Sequence, residues 1–128
     1  MLEGINILVA EDNLLNQRIV KFILNKQHAI VSTALNGQEA IDYLGQNPVD
    51  IVLMDLQMPE MDGYAATRYI RQNMKSNIPI IAVTASSSDK EQNDSLATGM
   101  NAYVSKPFDA NSLCEMIFDM VKNKPVTV

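Results

Sequence analysis

Val49-Asp50-Ile51-Val52-Leu53-Met54-Asp55, followed by Leu56-Gln57-Met58-Pro59-Glu60-Met61-Asp62-Gly63, lies near the middle of the chain. The run from Val49 to Met54 is nearly all apolar and does not alternate between polar and apolar residues. Such a strand is buried on both faces, as in a parallel sheet covered by helices on each side. It ends abruptly on the carboxylate of Asp55, and the segment behind it is rich in Pro, Asp and Gly, the residues of turns. A helix is expected next, near Tyr64 to Met74, with Ala66, Ile70 and Met74 in line.

The same strand-then-helix unit recurs on either side. Upstream, Ile5 to Ala10 is an aliphatic run, followed by Leu14 to Asn25, where Leu15, Ile19, Phe22 and Ile23 stand on one helix face at offsets 0, 4, 7 and 8. Asn13 and Asn16 are candidate caps for that helix. Ala29 to Ala34 is a strand with a polar end, and Asn36 caps a helix striped by Ala40, Ile41 and Leu44. Downstream, Ile80 to Val83 is a fourth strand. Asp89 to Thr98 reads as a helix with little apolar surface, ended by Gly99. Ala102 to Val104 is a short fifth strand, and Leu113, Met116, Ile117, Met120 and Val121 mark a last helix.

Five βα units predict an α/β fold: a doubly wound, five-stranded parallel sheet with right-handed crossovers. Strands one, three and four are continuously apolar and belong in the centre. Strands two and five are shorter or more polar and belong at the edges. The resulting order is 2-1-3-4-5, flavodoxin-like, with a switch point between strands one and three where ligands of open α/β sheets bind. The 128 residues suit one domain, 1–128. No apolar run approaches the roughly 18 residues of a membrane span. Cys114 is the one cysteine, which excludes an intrachain disulfide and points to a reducing cytoplasm. The net charge of −5 argues against direct nucleic-acid binding.

Polar residues collect at the carboxyl ends of the strands. Strand one ends in Glu11-Asp12, strand three in Asp55 and strand four in Thr84, and strand five leads into Lys106-Pro107. Clustered carboxylates repel one another unless a cation neutralises them. Mg²⁺ suits this task, because it takes oxygen ligands and is held by one or two carboxylates plus phosphate oxygens. Asp12 and Asp55, on adjacent strands, both reach one ion in this topology. Lys106 adds a compact positive charge and Thr84 a hydroxyl. A carboxylate so placed is equipped to accept a phosphoryl group as an aspartyl phosphate.

In these segments the chain resembles the receiver domain of two-component response regulators, from about Ile5 to Val121. They are Ile7 to Asn13, Met54 to Gly63, Ala82 to Ala85 and Tyr103 to Phe108; the Glu11-Asp12-Asn13 opening, Asn16-Gln17 and the Met58-to-Gly63 loop most resemble receivers of hybrid sensor histidine kinases. The resemblance implies that Asp55 is the phosphoryl acceptor. Asp12 would be a direct metal ligand, Glu11 would act through a bound water, and the Gln57 carbonyl would be a third ligand. Thr84 and Lys106 would hold phosphoryl oxygens, Tyr103 would be an aromatic switch, and the bond to Pro107 would be cis. The cofactor would be Mg²⁺, with Mn²⁺ as a substitute. The partner would be a sensor histidine kinase or a histidine phosphotransfer domain. Phosphorylation would switch the face made by helix four, strand five and helix five. No enzyme activity beyond the domain's own phosphorylation and dephosphorylation is implied. The domain would be cytoplasmic, with a membrane anchor elsewhere if the parent is a hybrid kinase.

Two other readings use the same residues. A Mg²⁺-dependent phosphatase with an aspartyl nucleophile usually has an acid two positions on, where this chain has Gln57. A degenerate receiver used only for docking fits poorly with a complete acidic, Thr and Lys set. A nucleotide site is disfavoured because no glycine-rich phosphate loop follows strand one. Asp62-Gly63 reads as turn chemistry with Gly63 at positive φ, and His28 as an exposed loop residue.

Overall fold

The computed structural model describes residues 1–85 and 88–122. Ser86, Ser87 and the end of the expected domain, 123–128, lie outside the described residues. The elements run β1 Asn6–Ala10, α1 Leu14–Lys26, β2 Ile30–Ala34, α2 Gly37–Gln46 and β3 Ile51–Asp55. They continue α3 Gly63–Gln72, β4 Ile80–Thr84, α4 Asp89–Thr98, β5 Ala102–Ser105 and α5 Ala110–Lys122. All pairings are parallel, in the order β2-β1-β3-β4-β5.

Strand alternation divides the core in two. Ile7, Val9, Ile51, Leu53, Ile81 and Val83 face Val20 and Leu24 of α1 and Leu113 and Ile117 of α5. Leu8, Ala10, Val52, Met54, Ile80 and Ala82 face Ala40 and Ile41 of α2 and Ala66 and Ile70 of α3. Helix α4 adds no apolar side chain to either layer; its one buried residue is Ser95. It is held instead by caps, Ser88 at its start and Gly99 in the left-handed region at its end.

Helix α1 departs from its sequence stripe. Leu15, Ile19 and Phe22 face solvent, at 66%, 48% and 64% exposure, while Gln17, Val20 and Leu24 are buried. The cause is Gln17. Its side-chain amide donates to the carbonyls of Glu11 (2.7 Å) and Ala34 (3.0 Å) at the ends of β1 and β2. Satisfying those buried carbonyls sets the helix rotation and leaves Ile23 as the stripe residue packed against the core. Asn13 alone caps this helix, accepting from the Asn16 N–H.

Gly63 also differs from expectation. Only Gly4 and Gly99 among the glycines have positive φ. Gly63 is the first residue of α3, and a Cβ there would collide with the backbone carbonyl of Asp55. Glycine is required by close approach of backbone to backbone, directly beneath the end of β3. Gly45, by contrast, is an exposed helical position with nothing within 4 Å of a built Cβ. Gly63→Ala is therefore expected to destabilise by about 1–3 kcal/mol and Gly45→Ala to stabilise by about 0.4–1 kcal/mol, both read from urea unfolding midpoints.

Candidate functional site

Four strand ends meet at one edge of the sheet. One carboxylate oxygen each of Glu11, Asp12 and Asp55 lies within 4.8 Å of the other two. Glu11 and Asp55 are buried, at 4% and 8% exposure, whereas Asp12 is exposed. Strand alternation explains the pairing. Glu11 continues the face of Ile7 and Val9, and Asp55 that of Ile51 and Leu53, so both turn toward α1 and α5.

The Lys106 ammonium reaches both, 3.1 Å from Glu11 Oε2 and 3.3 Å from Asp55 Oδ2. The backbone delivers it there: the Lys106 N–H donates to the Thr84 carbonyl at 2.7 Å, and the Lys106–Pro107 peptide is cis. The Gln57 N–H donates to Asp55 Oδ1 at 3.1 Å, and Asn16 Nδ2 donates to Glu11 Oε1 at 3.0 Å. Asn16 thus serves the acidic cluster rather than the helix cap. No local pattern marks this, because the contact depends on how α1 leaves β1.

Thr84 lies on the opposite face, which alternation assigns to Ile80 and Ala82. Its hydroxyl donates to Glu91 Oε2 on α4 at 3.5 Å. In the sequence Glu91 is one acid in a polar helix, with no local pattern to single it out. Tyr103 on β5 is half-buried and packs against the α2–α3 layer. Asp12 and Gln57 border an open depression with Met58, Asp62, Tyr64 and Glu91. Behind the carboxylates a cavity of about 350 Å³ opens between α1 and the turn after β5; Ile19, Ile23, Pro107 and Phe108 line it beside Glu11, Asp55 and Lys106.

The electrostatics follow from this geometry. Burial, and then the adjacent Glu11 carboxylate, raise the Asp55 pKa to about 7 against the pull of the Gln57 N–H and Lys106. Burial acts to raise Glu11 too, but hydrogen bonds with Asp55, Asn16 and Lys106 outweigh it and hold that carboxyl below its ordinary value. Burial opposes the charge on Lys106, yet Asp55 and Glu11 keep its pKa above the ordinary lysine value. Like charges at this spacing favour one shared proton when no cation is bound. Three carboxylate donors, one of them open to solvent, fit a hard divalent cation.

A family model, the response regulator receiver domain, matches residues 7–118. The chain belongs to this family. Relatives of the receiver include hybrid signal transduction histidine kinase I of Dictyostelium discoideum, 38% identical over 119 aligned residues, which cover 87% of this chain and 7% of that protein. The receiver spans 6–14% of the length of the histidine kinases it matches. Among solved structures, the Ssk1 receiver of Saccharomyces cerevisiae, crystallised with the histidine phosphotransfer protein Ypd1, superimposes with a TM-score of 0.88 at 32% identity. That match covers 95% of this chain and 92% of the other. The receiver of sensor histidine kinase PA1611 from Pseudomonas aeruginosa, with a magnesium ion in its active site cleft, gives a TM-score of 0.85 at 34% identity, covering 93% and 98%. The fold is that of two-component phosphorelay receivers, with strand order and helices alike. No helix among the described residues is long and apolar enough to cross a membrane.

The raised Asp55 pKa predicts how stability depends on pH. In the unfolded chain Asp55 titrates near its ordinary value, about 3.9. Between there and about 7 the metal-free native state holds a proton that the unfolded state has lost. Native stability conferred by this proton is present at low pH and is lost as pH rises through 7. Glu11 acts oppositely, but below its ordinary value and outside this window. The melting temperature of the metal-free protein is expected to fall between pH 5.5 and 8, less so with millimolar Mg²⁺, and the Asp55-dependent part of the slope is expected to vanish in Asp55→Asn.

Proposed function

We propose that Asp55 accepts a phosphoryl group from a phosphohistidine on a sensor histidine kinase or a histidine phosphotransfer protein. The single observation that carries this is the Lys106 ammonium bridging Asp55 and Glu11 at a cluster that also holds Asp12. Asp55 Oδ attacks phosphorus, the P–N bond of the phosphohistidine breaks, and the imidazole leaves with a proton from solvent. Hydrolysis of the aspartyl phosphate later returns Asp55 and inorganic phosphate. The protein supplies position and charge neutralisation, which is most of what phosphoryl transfer requires.

Asp12 and Asp55 would hold Mg²⁺ or Mn²⁺ directly, Glu11 through a water and Gln57 through its carbonyl. When bound, the cation neutralises the carboxylates and the incoming phosphoryl oxygens. Lys106 holds one phosphoryl oxygen after transfer and Thr84 another, and Tyr103 follows Thr84 as the aromatic switch that remodels the α4–β5–α5 face. Pro107 shapes the turn that presents Lys106. Residues 1–128 act as one such domain, in the cytoplasm, with any membrane anchor elsewhere in a hybrid-kinase parent.

The docking face for the phosphodonor is the exposed stripe of α1. Leu15, Ile19 and Phe22 form an apolar strip, and Ile19 also lines the cavity that reaches Asp55. Contiguous exposed apolar surface of this kind marks an interaction site, and here it adjoins the acceptor carboxylate.

Acetyl phosphate with Mg²⁺ is expected to label Asp55 in a base-labile linkage, and Asp55→Asn is expected to take no label. Stoichiometric labelling of Asp55→Asn at another side chain would remove Asp55 from the role. Asp12→Ala is expected to weaken Mg²⁺ binding at least tenfold in a titration. Leu15→Asp and Phe22→Asp are expected to slow transfer from a phosphohistidine protein at least tenfold and to leave acetyl phosphate labelling within about twofold, measured by quench-flow with radiolabelled donors.

A further inference from the structure

Glu11 and Asp55 face α1 and α5, but the hydroxyl expected to assist them faces the other way. In this structure the Thr84 hydroxyl donates to Glu91 Oε2 at 3.5 Å. Glu91 is the third residue of α4, three positions after its Ser88 cap. From this position its carboxylate reaches sideways to β4. It is half-buried, borders the depression shared with Asp12 and Gln57, and lies close enough to Tyr64 and Tyr103 to add to the effect of burial on both phenols.

We propose that Glu91 is a latch: its carboxylate holds the Thr84 hydroxyl on the α4 side of the sheet and opposes the phosphorylated state. This rests on the reading of Asp55 as phosphoryl acceptor. A phosphoryl group there carries about −1.5 to −2 charges and three strong acceptor oxygens. A carboxylate with one charge loses the competition for a single donor. Turning Thr84 toward Asp55 breaks its bond to Glu91 and releases the first turn of α4. No apolar anchor opposes the movement, because the helix buries only Ser95. Local stability tracks buried apolar contact, so this helix yields first. The latch sets how much of the phosphoryl-binding free energy is consumed in switching, and so sets the apparent affinity for any phosphoryl mimic.

Glu91→Gln keeps the shape but offers a neutral, weaker acceptor, and Glu91→Ala removes the acceptor. Beryllofluoride with saturating Mg²⁺ serves as the probe, and its binding is followed by calorimetry. Both variants are expected to bind it about three- to tenfold more tightly than the parent, the net size of one ordinary hydrogen bond. A cycle with Thr84→Val separates a latch from a general charge effect. In the Thr84→Val background, Glu91→Gln is expected to change affinity by less than about 1.5-fold. An equal gain in both backgrounds, or no gain in either Glu91 variant, would overturn the latch. Acetyl phosphate labelling of Asp55 in the parent and in both Glu91 variants is scored separately. Its failure in the parent would overturn the acceptor reading instead, and its persistence with unchanged beryllofluoride affinity would overturn the latch alone.

Discussion

Two carboxylates, Glu11 and Asp55, are buried side by side with one ammonium, Lys106, between them. Burying like charges together is costly unless a cation is shared, and much of the surrounding structure serves that requirement. Asn16 and the Gln57 N–H satisfy the remaining carboxylate oxygens. Gly63 lets the loop after β3 close under Asp55. The turn after β5 directs Lys106 inward. Compensation is still incomplete, as the Asp55 pKa of about 7 shows. A site strained in this way is disposed to take up a divalent cation or to exchange charge with an incoming phosphoryl group.

Parallel topology explains why these groups come from such distant positions. Residues 11, 55, 84 and 106 are adjacent only because β1, β3, β4 and β5 all point the same way and end at one edge. Alternation along each strand then sorts them. Glu11, Asp55 and Lys106 fall on the α1–α5 side, and Thr84 falls on the α4 side. The Thr84 hydroxyl therefore reaches α4 rather than the carboxylates, and bringing it toward Asp55 requires movement at the end of β4. The helix on that side is the one with the least apolar anchorage. The carboxylate pair and this loosely anchored helix thus lie on opposite faces of the sheet, at the ends of β3 and β4.

Helix α1 shows how one polar side chain sets the use of a whole surface. Gln17 turns inward to satisfy the carbonyls of Glu11 and Ala34, which closes the ends of β1 and β2. The same rotation sends Leu15, Ile19 and Phe22 outward beside the cavity that leads to Asp55. An apolar stripe that resembles core packing in a helical wheel becomes exposed surface next to the reactive carboxylate.

The sequence by itself determined the α/β class, the parallel order with β2 and β5 at the edges, and the gathering of Glu11, Asp12, Asp55, Thr84 and Lys106 at one edge. These follow from local periodicity and from strand burial, which neighbouring residues encode directly. Tertiary structure alone decided the rotation of α1, the close approach that makes Gly63 necessary, the engagement of Asn16 with Glu11, and the hold of Glu91 on Thr84. Each depends on the angle at which a helix leaves or meets the sheet. That angle is set by many long-range contacts together, so a stripe at helical spacing or one acid in a polar helix does not reveal which face will be covered or what it will touch.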